Sequence, residues 1–342
     1  MKIKYLIFPI VALVLVFIVI IDSSISAKKE TRGGKPIRAV YYWRTHYYLI
    51  DREEQFLLQN KINRMYVRFF DVDINKNEDF SDQCAPVATI NFYDSKPDFH
   101  DCEVVPVVFI TQEAIVKYSS FVDDMAHRLY AMCRKNEINI KEVQFDCDWT
   151  GSTQEAYFQF LKEIRLALTK YFGQEIKLSS TIRLHQLAQM PPEVDYGVLM
   201  CYNTGNFKDY NTENSILDIK DVKPYTKYLK TYKLPLILAL PMYSWFVEFD
   251  QNKNFVKLNK NVYDIGDTTQ FKHVEGNYYK MLHPNPEQST HFVRYEQVSA
   301  ETILNVKKLI RKKYKKMPIV LYHLDYQQFS KYTEDEIKTF FD

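Results

Sequence analysis

Short apolar segments alternate with amphipathic segments along most of the chain after residue 37. Short apolar runs between turn residues are typical of buried strands, whereas apolar residues three and four positions apart are typical of helices. The predicted strands are Ile37–Trp43, Arg64–Phe70, Val104–Ile110, Glu142–Asp148, Ile176–Arg183, Tyr196–Tyr202, Leu234–Tyr243 and Pro318–Leu324. The predicted helices are Arg52–Lys61, Phe121–Lys135, Glu155–Tyr171, Val222–Tyr232 and Ala300–Tyr314. Strands that alternate with helices in this way predict an α/β domain, a (β/α)8 TIM-type barrel over residues 37–342.

The composition excludes several functional classes. Of 342 residues 46% are hydrophobic, which is enough for a sizeable core. Only 8 are glycine, and the phosphate-binding loop of a doubly wound nucleotide-binding sheet is missing. The net charge of +2 predicts no nucleic-acid partner. No Cys/His spacing is typical of a zinc site, so we expect neither a metal nor another cofactor.

The N-terminus carries a targeting pattern. Two lysines precede an uncharged apolar run from Tyr5 to Ile21, and a small-residue segment follows as far as Ala27. This order is typical of a secretory signal. The run of 17 residues also reaches the lower limit of about 17–25 residues for a membrane-spanning helix. We predict that residues 1–27 are a signal peptide or a single-helix anchor. The body would then be extracytoplasmic, either secreted or tethered to the membrane by residues 5–21.

Two connections are longer than usual for a barrel. They are Asp71–Glu103, after the second predicted strand, and Ser244–Ser299, after the seventh. Insertions after strands lie at the carboxyl face of a barrel, where sites form. Within the first connection, Cys84 and Cys102 flank a polar, proline-containing segment, and we predict that they form a disulfide.

Two acids end the fourth predicted strand. Because side chains alternate along a strand, Gln144, Asp146 and Asp148 are expected to point into the barrel, with Asp148 nearest the mouth. Two carboxylates this close resist joint ionisation, which favours a catalytic or sugar-binding role. The alternative is an internal ion-pair network with Arg183 or Arg44.

Aromatic residues follow the last three predicted strands. Tyr202 faces inward on the sixth strand, where its hydroxyl either donates to a ligand or is satisfied within the core. Tyr243 ends the seventh strand, Trp245 follows near the mouth, and Tyr322 lines the eighth. Aromatic residues at a barrel mouth stack on sugar rings or cap the core, and the pattern leaves both open.

Four short motifs in strand order resemble those of the chitinase-type barrels of family-18 glycoside hydrolases and their non-catalytic relatives. That family carries D-x-D-x-E at strand four, M-x-Y-D at strand six, an aliphatic-P-x-Y segment at strand seven and W-x-x-D at strand eight. The matching stretches are Asp146–Thr150, Met200–Asn203, Leu240–Tyr243 and Tyr322–Asp325. The resemblance covers roughly residues 37–326 and is strongest to uncharacterised bacterial families of glycosidase-like barrels. It implies a carbohydrate ligand in a pocket that includes Tyr202, Asn203, Tyr243, Trp245 and Tyr322.

Three positions depart from the family pattern. Thr150 stands where the family has the Glu that protonates the glycosidic oxygen, Asn203 replaces an Asp, and Tyr322 replaces a Trp. A hydroxyl is not an acid near neutral pH, and loss of a general acid typically removes ~10²–10⁴-fold of the rate. The resemblance therefore implies a pseudoenzyme with respect to the usual chitinase mechanism.

We predict an exported barrel that recognises or processes a glycan, with Asp146 and Asp148 in its pocket. A first alternative is an active glycosidase in which Asp148 works with a relocated acid. That acid is Glu248, just after strand seven, or a residue of the Asp71–Glu103 connection. A second alternative is a non-catalytic envelope scaffold. The sequence pattern leaves open whether the protein turns over a glycan substrate.

Overall fold

The structure is a computed structural model that describes residues 36–75, 83–93, 96–259, 263–283, 290–315 and 317–342. The predicted signal or anchor, residues 1–27, lies outside these ranges. Among the helices inside them, none combines the length and the apolar character that crossing a bilayer requires.

The elements are numbered here in chain order. The strands are β1 (Arg38–Tyr42), β2 (His46–Tyr47), β3 (Arg64–Ile74), β4 (Cys84–Val87), β5 (Asn91–Phe92), β6 (Glu103–Ile110), β7 (Glu142–Asp146), β8 (Lys177–Arg183), β9 (Tyr196–Met200), β10 (Leu236–Pro241), β11 (Ser244–Phe249), β12 (Phe255–Asn259), β13 (Phe271–Glu275), β14 (Tyr278–Met281), β15 (Phe292–Gln297) and β16 (Ile319–Tyr322). The helices are α1 (Asp51–Gln59), α2 (Gln112–Ile115), α3 (Val122–Lys135), α4 (Gln154–Phe172), α5 (Ile219–Val222), α6 (Ala300–Arg311), α7 (Tyr326–Phe329) and α8 (Glu334–Phe341).

Eight parallel strands close into a barrel, in the order β1, β3, β6, β7, β8, β9, β10 and β16. β1 closes it because it pairs with β3 on one side and with β16 on the other. Outward-facing strand residues pack against the surrounding helices, as Phe145 of β7 does against Phe160 of α4, with ring centroids 5.0 Å apart. The predicted (β/α)8 barrel is confirmed.

The second barrel strand is longer than its sequence pattern predicts. β3 runs on to Ile74 because β4 pairs with its last four residues in an antiparallel ladder, from Asp71↔Val87 to Ile74↔Cys84. The connection predicted at Asp71–Glu103 therefore begins as an extension of the strand. Asp71 consequently lies on a strand, and its backbone is held by a ladder.

The predicted disulfide between Cys84 and Cys102 is wrong in this structure, where both thiols are free. Cys84 pairs with Ile74 at the carboxyl end of β3. Cys102 directly precedes Glu103, which pairs with Arg64 at the opposite end of the same strand. The rise of about 3.3 Å per residue puts these ends roughly 30 Å apart, and a disulfide requires Cα atoms within about 7 Å.

The segment after β10 forms a second, antiparallel sheet of five strands, in the order β12, β11, β15, β14 and β13. Its hydrophobic cluster contains Phe246, Phe271 and Val293. β11 begins three residues after β10 ends, so this sheet starts at the carboxyl end of the seventh barrel strand. The insertion is thus placed beside the barrel mouth.

The helix predicted at Val222–Tyr232 is mostly replaced by tighter turns. α5 ends at Val222, and a 3-10 helix follows at Lys223–Lys227 with a proline in its first turn. Proline has no N–H to donate, so Pro224 does not continue the α-helical hydrogen-bond ladder of the preceding residues.

Candidate functional site

The two acids of the fourth barrel strand lie at the carboxyl end of the barrel at different depths. Asp146, only 4% exposed, accepts a hydrogen bond from Thr181 Oγ1 of β8 at 2.6 Å. Asp148, two residues further, has a side chain that is 42% exposed. Because strand side chains alternate, both point to the same side, one above the other. Asp148 therefore faces the solvent at the mouth, and Asp146 lies beneath it.

Arg183 holds Asp148 with two nitrogens. Its Nη2 donates to Asp148 Oδ2 at 3.1 Å, and its Nε donates to Oδ1. Bidentate pairs of this kind are among the strongest charge-assisted hydrogen bonds. The ion-pair alternative is thus realised through Arg183. Arg44 does not take part, because it pairs with Glu53 and donates to the Leu324 carbonyl at 3.1 Å.

The environment of Asp146 changes its acidity. Burial raises the pKa of Asp146 to about 6, the Arg183 charge opposes the rise, and the Asp148 and Asp71 charges add to it. Two carboxylates that share one guanidinium cannot both be fully stabilised as anions. Asp146 consequently takes up a proton at a higher pH than a solvent-exposed aspartate does.

Below the acids the barrel interior continues as a hydrogen-bonded network. Gln144 accepts from the Tyr41 hydroxyl at 2.6 Å and donates to Ser179 Oγ at 3.4 Å. Ser179 donates to Glu142 at 2.6 Å, and Glu142 pairs with Arg64 at 3.4 Å. Buried polar groups that are hydrogen-bonded in this way fix the side chains around them. The floor of the site is therefore rigid and closed.

A second arginine–aspartate pair lies on the neighbouring side of the mouth. Arg68 Nε donates to Asp71 Oδ1 at 2.7 Å, and Nη2 donates to Oδ2. The register of the strands puts Asp71, Phe109 and Asp146 at one level of the barrel. The Arg68 guanidinium also lies over the ring of Trp43, 5.4 Å from its centroid. Both pairs leave the mouth close to electrical neutrality.

Aromatic rings form one wall of the mouth around Tyr322. Its ring stacks on Tyr202 with centroids 4.7 Å apart, and it meets Tyr243 at 5.6 Å and Trp43 at 5.8 Å. The Tyr202 hydroxyl is buried and has no hydrogen-bond partner within the described residues. Buried hydroxyls are usually paired, so the Tyr202 hydroxyl is an exception within this wall.

Asn203 is connected to this wall through Tyr243. The Tyr243 hydroxyl donates to Asn203 Oδ1 at 2.6 Å. Asn203 itself has a φ of 54°, a left-handed conformation that asparagine tolerates better than most residues. Its exposed amide is held at the rim as a result.

Trp245 caps the core, which is one of the two roles that the sequence pattern left open for the aromatic residues near the mouth. The residue is only 6% exposed, and its indole N–H donates to Glu296 Oε2 at 2.8 Å. Glu296 also accepts from Ser215 and pairs with the fully buried Arg294 at 2.6 Å. Trp245 therefore supports the wall and offers no open ring face to a sugar.

Glu248 does not belong to the site, which corrects the proposed role of a relocated acid. It lies on β11 three residues after Trp245, and strand alternation turns it to the opposite face. There it is fully buried and accepts hydrogen bonds from Asn259, Tyr263 and Thr290 at 2.9, 2.7 and 2.6 Å. An acid enclosed in this way has no access to a substrate at the mouth.

Thr150 lies in the turn between β7 and α4. Its hydroxyl pairs with Ser152 Oγ at 2.9 Å, and its N–H donates to Thr153 Oγ1 at 2.9 Å.

Sequence reasoning missed Arg68 and Trp43, and it considered Arg183 only as part of the ion-pair alternative. The available signal was strand alternation, because Arg183 shares a strand face with Thr181 and Trp43 shares one with Tyr41.

Three solved structures of similar fold are two chitinases and a spore cortex-lytic enzyme. The chain is similar to the chitinase of Chromobacterium violaceum ATCC 12472 (11% identity, TM-score 0.54, 90% of this chain and 99% of that one). It is also similar to the family-18 chitinase ChiB of Flavobacterium johnsoniae (14% identity, TM-score 0.52, 90% and 94%). A third is the spore cortex-lytic enzyme SleL of Bacillus megaterium QM B1551 (14% identity, TM-score 0.51, 90% and 74%).

No protein-family profile and no curated protein sequence matches the chain. At 11–14% identity the three structures establish the fold and not the activity. The resemblance to chitinase-type barrels that the motifs indicate is confirmed for the fold.

Proposed function

We propose that this protein binds a glycan at the mouth of its barrel and does not hydrolyse it. The observation that carries the proposal is the pairing of Asp148, whose two carboxylate oxygens are both bound by Arg183. At the position of the family's acid, Thr150 has only a hydroxyl. Glycosidic cleavage requires a carboxylic acid that gives its proton to the leaving oxygen. Neither residue supplies that proton.

Asp71 is itself bound through both oxygens by Arg68, and the depth of Asp146 argues against catalysis by that acid. Its pKa of about 6 would suit a proton donor. However, its carboxyl lies beneath Asp148 and is hydrogen-bonded to Thr181. A general acid must come within hydrogen-bond reach of the leaving oxygen. A substrate above Asp148 leaves that oxygen too far from Asp146.

Several groups at the mouth suit a sugar. The partly exposed rings of Trp43 and Tyr322 can pack on the C–H faces of a pyranose. The Asp148 side chain is 42% exposed, so its carboxylate can accept from a sugar hydroxyl in addition to Arg183, and the exposed Asn203 presents its amide at the rim. An aromatic surface with a few placed polar groups is the usual make-up of a small-molecule site.

The ligand class follows from the same resemblance. The similar proteins are two chitinases and a spore cortex-lytic enzyme. For this chain we infer a chitin- or peptidoglycan-type oligosaccharide. We also infer an extracytoplasmic location, with residues 1–27 as the signal or tether, because such polymers lie outside the cytoplasm.

The test is a binding screen on immobilised chitin and peptidoglycan oligosaccharides, run beside an assay for released reducing ends. We expect the full chain to bind and to release no reducing ends. Asp148→Asn should weaken binding, whereas Leu166→Ala, at an exposed position of α4, should not. Release of reducing ends that Asp148→Asn abolishes would instead establish an enzyme. Absence of binding to both polymers would refute the proposal.

A further inference from the structure

A groove of about 670 Å³ opens after the first barrel strand. It is lined by Trp43, Arg44, Thr45, His46, Tyr48 and Tyr93. Its volume falls within the range of roughly 300–1,000 Å³ typical of small-molecule sites. With the exception of Trp43, these residues take no part in the site described above.

The groove collects exposed aromatic rings. Within the described residues, three large aromatic side chains are more than a third exposed: Tyr48 at 63%, Tyr93 at 67% and Tyr326 at 39%. Two of the three line this one groove. Scattered apolar groups on a surface are ordinary, but a contiguous cluster marks an interaction site.

A small sheet sets the positions of both tyrosines. β2 and β5 pair in parallel, with His46 opposite Asn91 and Tyr47 opposite Phe92. Tyr48 and Tyr93 each follow directly after these strands. Strand alternation sends Tyr47 and Phe92 inward, where their rings lie 5.8 Å apart, and leaves the next residues facing out. The two exposed tyrosines therefore line the same groove above a packed support.

The rim of the groove is polar and nearly neutral. His46 stacks on Tyr93 with ring centroids 5.7 Å apart, and Thr45 Oγ1 lies 3.3 Å from His46 Nδ1. The charge of Arg44 is balanced by Glu53. Neutral hydrogen-bonding groups around aromatic rings suit an uncharged polyhydroxylated ligand better than an anion.

Trp43 connects the groove to the barrel mouth. Its ring contacts Tyr322 at 5.8 Å and Tyr41 at 6.0 Å, and both of those tyrosines belong to the barrel interior. The same ring lines the groove. The groove and the barrel mouth therefore share Trp43.

We propose that the groove is a second binding site for the same glycan, in which Tyr48 and Tyr93 stack on sugar rings beyond those held at the barrel mouth. The inference rests on the proposed function and narrows it: the ligand is an extended oligosaccharide, and a monosaccharide fills only part of the surface. Affinity should accordingly increase with chain length until the groove is filled.

The experiment measures the affinity of N-acetylglucosamine oligomers of one to six sugars for the full chain by calorimetry. In the wild type we expect the longest oligomers to bind at least tenfold more tightly than the shortest that binds. Tyr48→Ala combined with Tyr93→Ala should remove about tenfold of the affinity for the longest oligomers and leave the shortest within twofold. Tyr326→Ala changes an exposed tyrosine outside the groove and should behave as the wild type.

Tryptophan fluorescence gives a second readout. All three tryptophans of the sequence lie in the described residues, and Trp149 and Trp245 are buried, so acrylamide quenching reports mainly on Trp43. Long oligomers should protect it in the wild type. Single alanine variants at Tyr48 and at Tyr93 should each lose part of the increase in affinity with oligomer length. These single variants provide an independent test if the double variant misfolds.

Equal affinity for all lengths in the wild type, or an equal loss for all lengths in the double variant, would overturn this second site and leave the proposed function intact. Failure of the wild type to bind any N-acetylglucosamine oligomer would overturn the second site, whereas the proposed function fails only if the peptidoglycan oligosaccharides of the binding screen are not bound either.

Discussion

Arg183 binds Asp148 across the mouth of the barrel through two parallel hydrogen bonds, although the two residues are 35 positions apart in the sequence. They meet because β7 and β8 are neighbours and both end at the same rim. The pair neutralises the Asp148 carboxylate at the mouth, and the Arg183 charge also lowers the pKa of Asp146 below the value that burial alone would give.

Replacing Arg183 should make Asp146 a weaker acid. In Arg183→Met the cation that opposes the effect of burial is lost, so the pKa of Asp146 should rise above about 6, by about 1 or more. Carboxyl carbon NMR titration measures this. Arg183→Lys keeps the charge without the bidentate geometry and should shift the pKa less. An unchanged pKa in Arg183→Met would mean that the guanidinium does not act on Asp146.

The stability of the fold should fall as pH rises through the titration of Asp146. Its pKa is about 6 in the folded chain, against ~3.9 in the unfolded chain. The folded state thus binds the proton more tightly than the unfolded state. The resulting contribution to the free energy of unfolding is complete below pH ~4 and is lost as pH rises through about 6. A difference of roughly 2 in pKa corresponds to about 3 kcal/mol in the free energy of unfolding.

Asp146→Asn keeps an acceptor for Thr181 and removes the titratable carboxyl. Its loss of stability over this pH range should therefore be smaller than that of the wild type by about 3 kcal/mol. Urea unfolding at several pH values compares the two proteins. Burial also raises the pKa of Glu142, which is why the difference between the two curves is the quantity to measure. Parallel curves for wild type and variant would show that Asp146 is ionised throughout.

Restoring an acid at position 150 should not restore hydrolysis by itself. In Thr150→Glu the Asp148 carboxylate stays bound to Arg183, so reducing-end release should remain at background. Thr150→Glu combined with Arg183→Met frees Asp148 and should release reducing ends about tenfold faster than Thr150→Glu alone. Equal rates in both variants would show that Arg183 does not prevent catalysis.

Breaking the ion pair behind Trp245 should destabilise the protein strongly. Arg294 and Glu296 are both fully buried and lie 2.6 Å apart, and Arg294 also donates to the carbonyls of Phe207 and Asp209. Arg294→Met leaves Glu296 as an unpaired buried charge, which typically costs about 3–5 kcal/mol. Chemical denaturation measures the loss.

The matched control is Arg165→Met, which removes a partly exposed pair with Asp195. It should cost no more than about 1 kcal/mol. Similar losses for the two variants would indicate that burial does not set the strength of the Arg294 pair.

All five cysteines should react as free thiols. Cys84 and Cys102 lie at opposite ends of β3, and all five sulfur atoms are unbridged in the structure. Titration with a thiol reagent in denaturant, without a reducing agent, should count five thiols in freshly purified protein. A count of three that rises to five on reduction would restore the disulfide predicted from the sequence.

Much of the site follows from the sequence because strand alternation is local. The period of two is enough to put Asp146 and Asp148 on one face, and the order of apolar segments is enough to predict the barrel. The same reasoning placed Trp245 near the mouth, but it did not decide whether the ring is exposed. That depends on Glu296, 51 positions away, which binds the indole N–H.

The errors concern pairings between distant segments. Cys84 and Cys102 are close along the chain, and only the register of β4 and β6 on β3 separates them. Glu248 follows the seventh barrel strand as predicted, yet the direction of β11 turns it into the inserted sheet. Neither outcome has a signature in composition or local spacing.

The sequence alone determined most of the periodic elements and the carboxylates at the end of the fourth strand, since each of these depends on residues a few positions apart. The tertiary structure alone decided that Arg183 occupies Asp148 and that Asp146 is buried beneath it. It also decided that Tyr48 and Tyr93 line the same groove. These relationships depend on which strands become neighbours when the barrel closes, and that is set by packing over the whole chain.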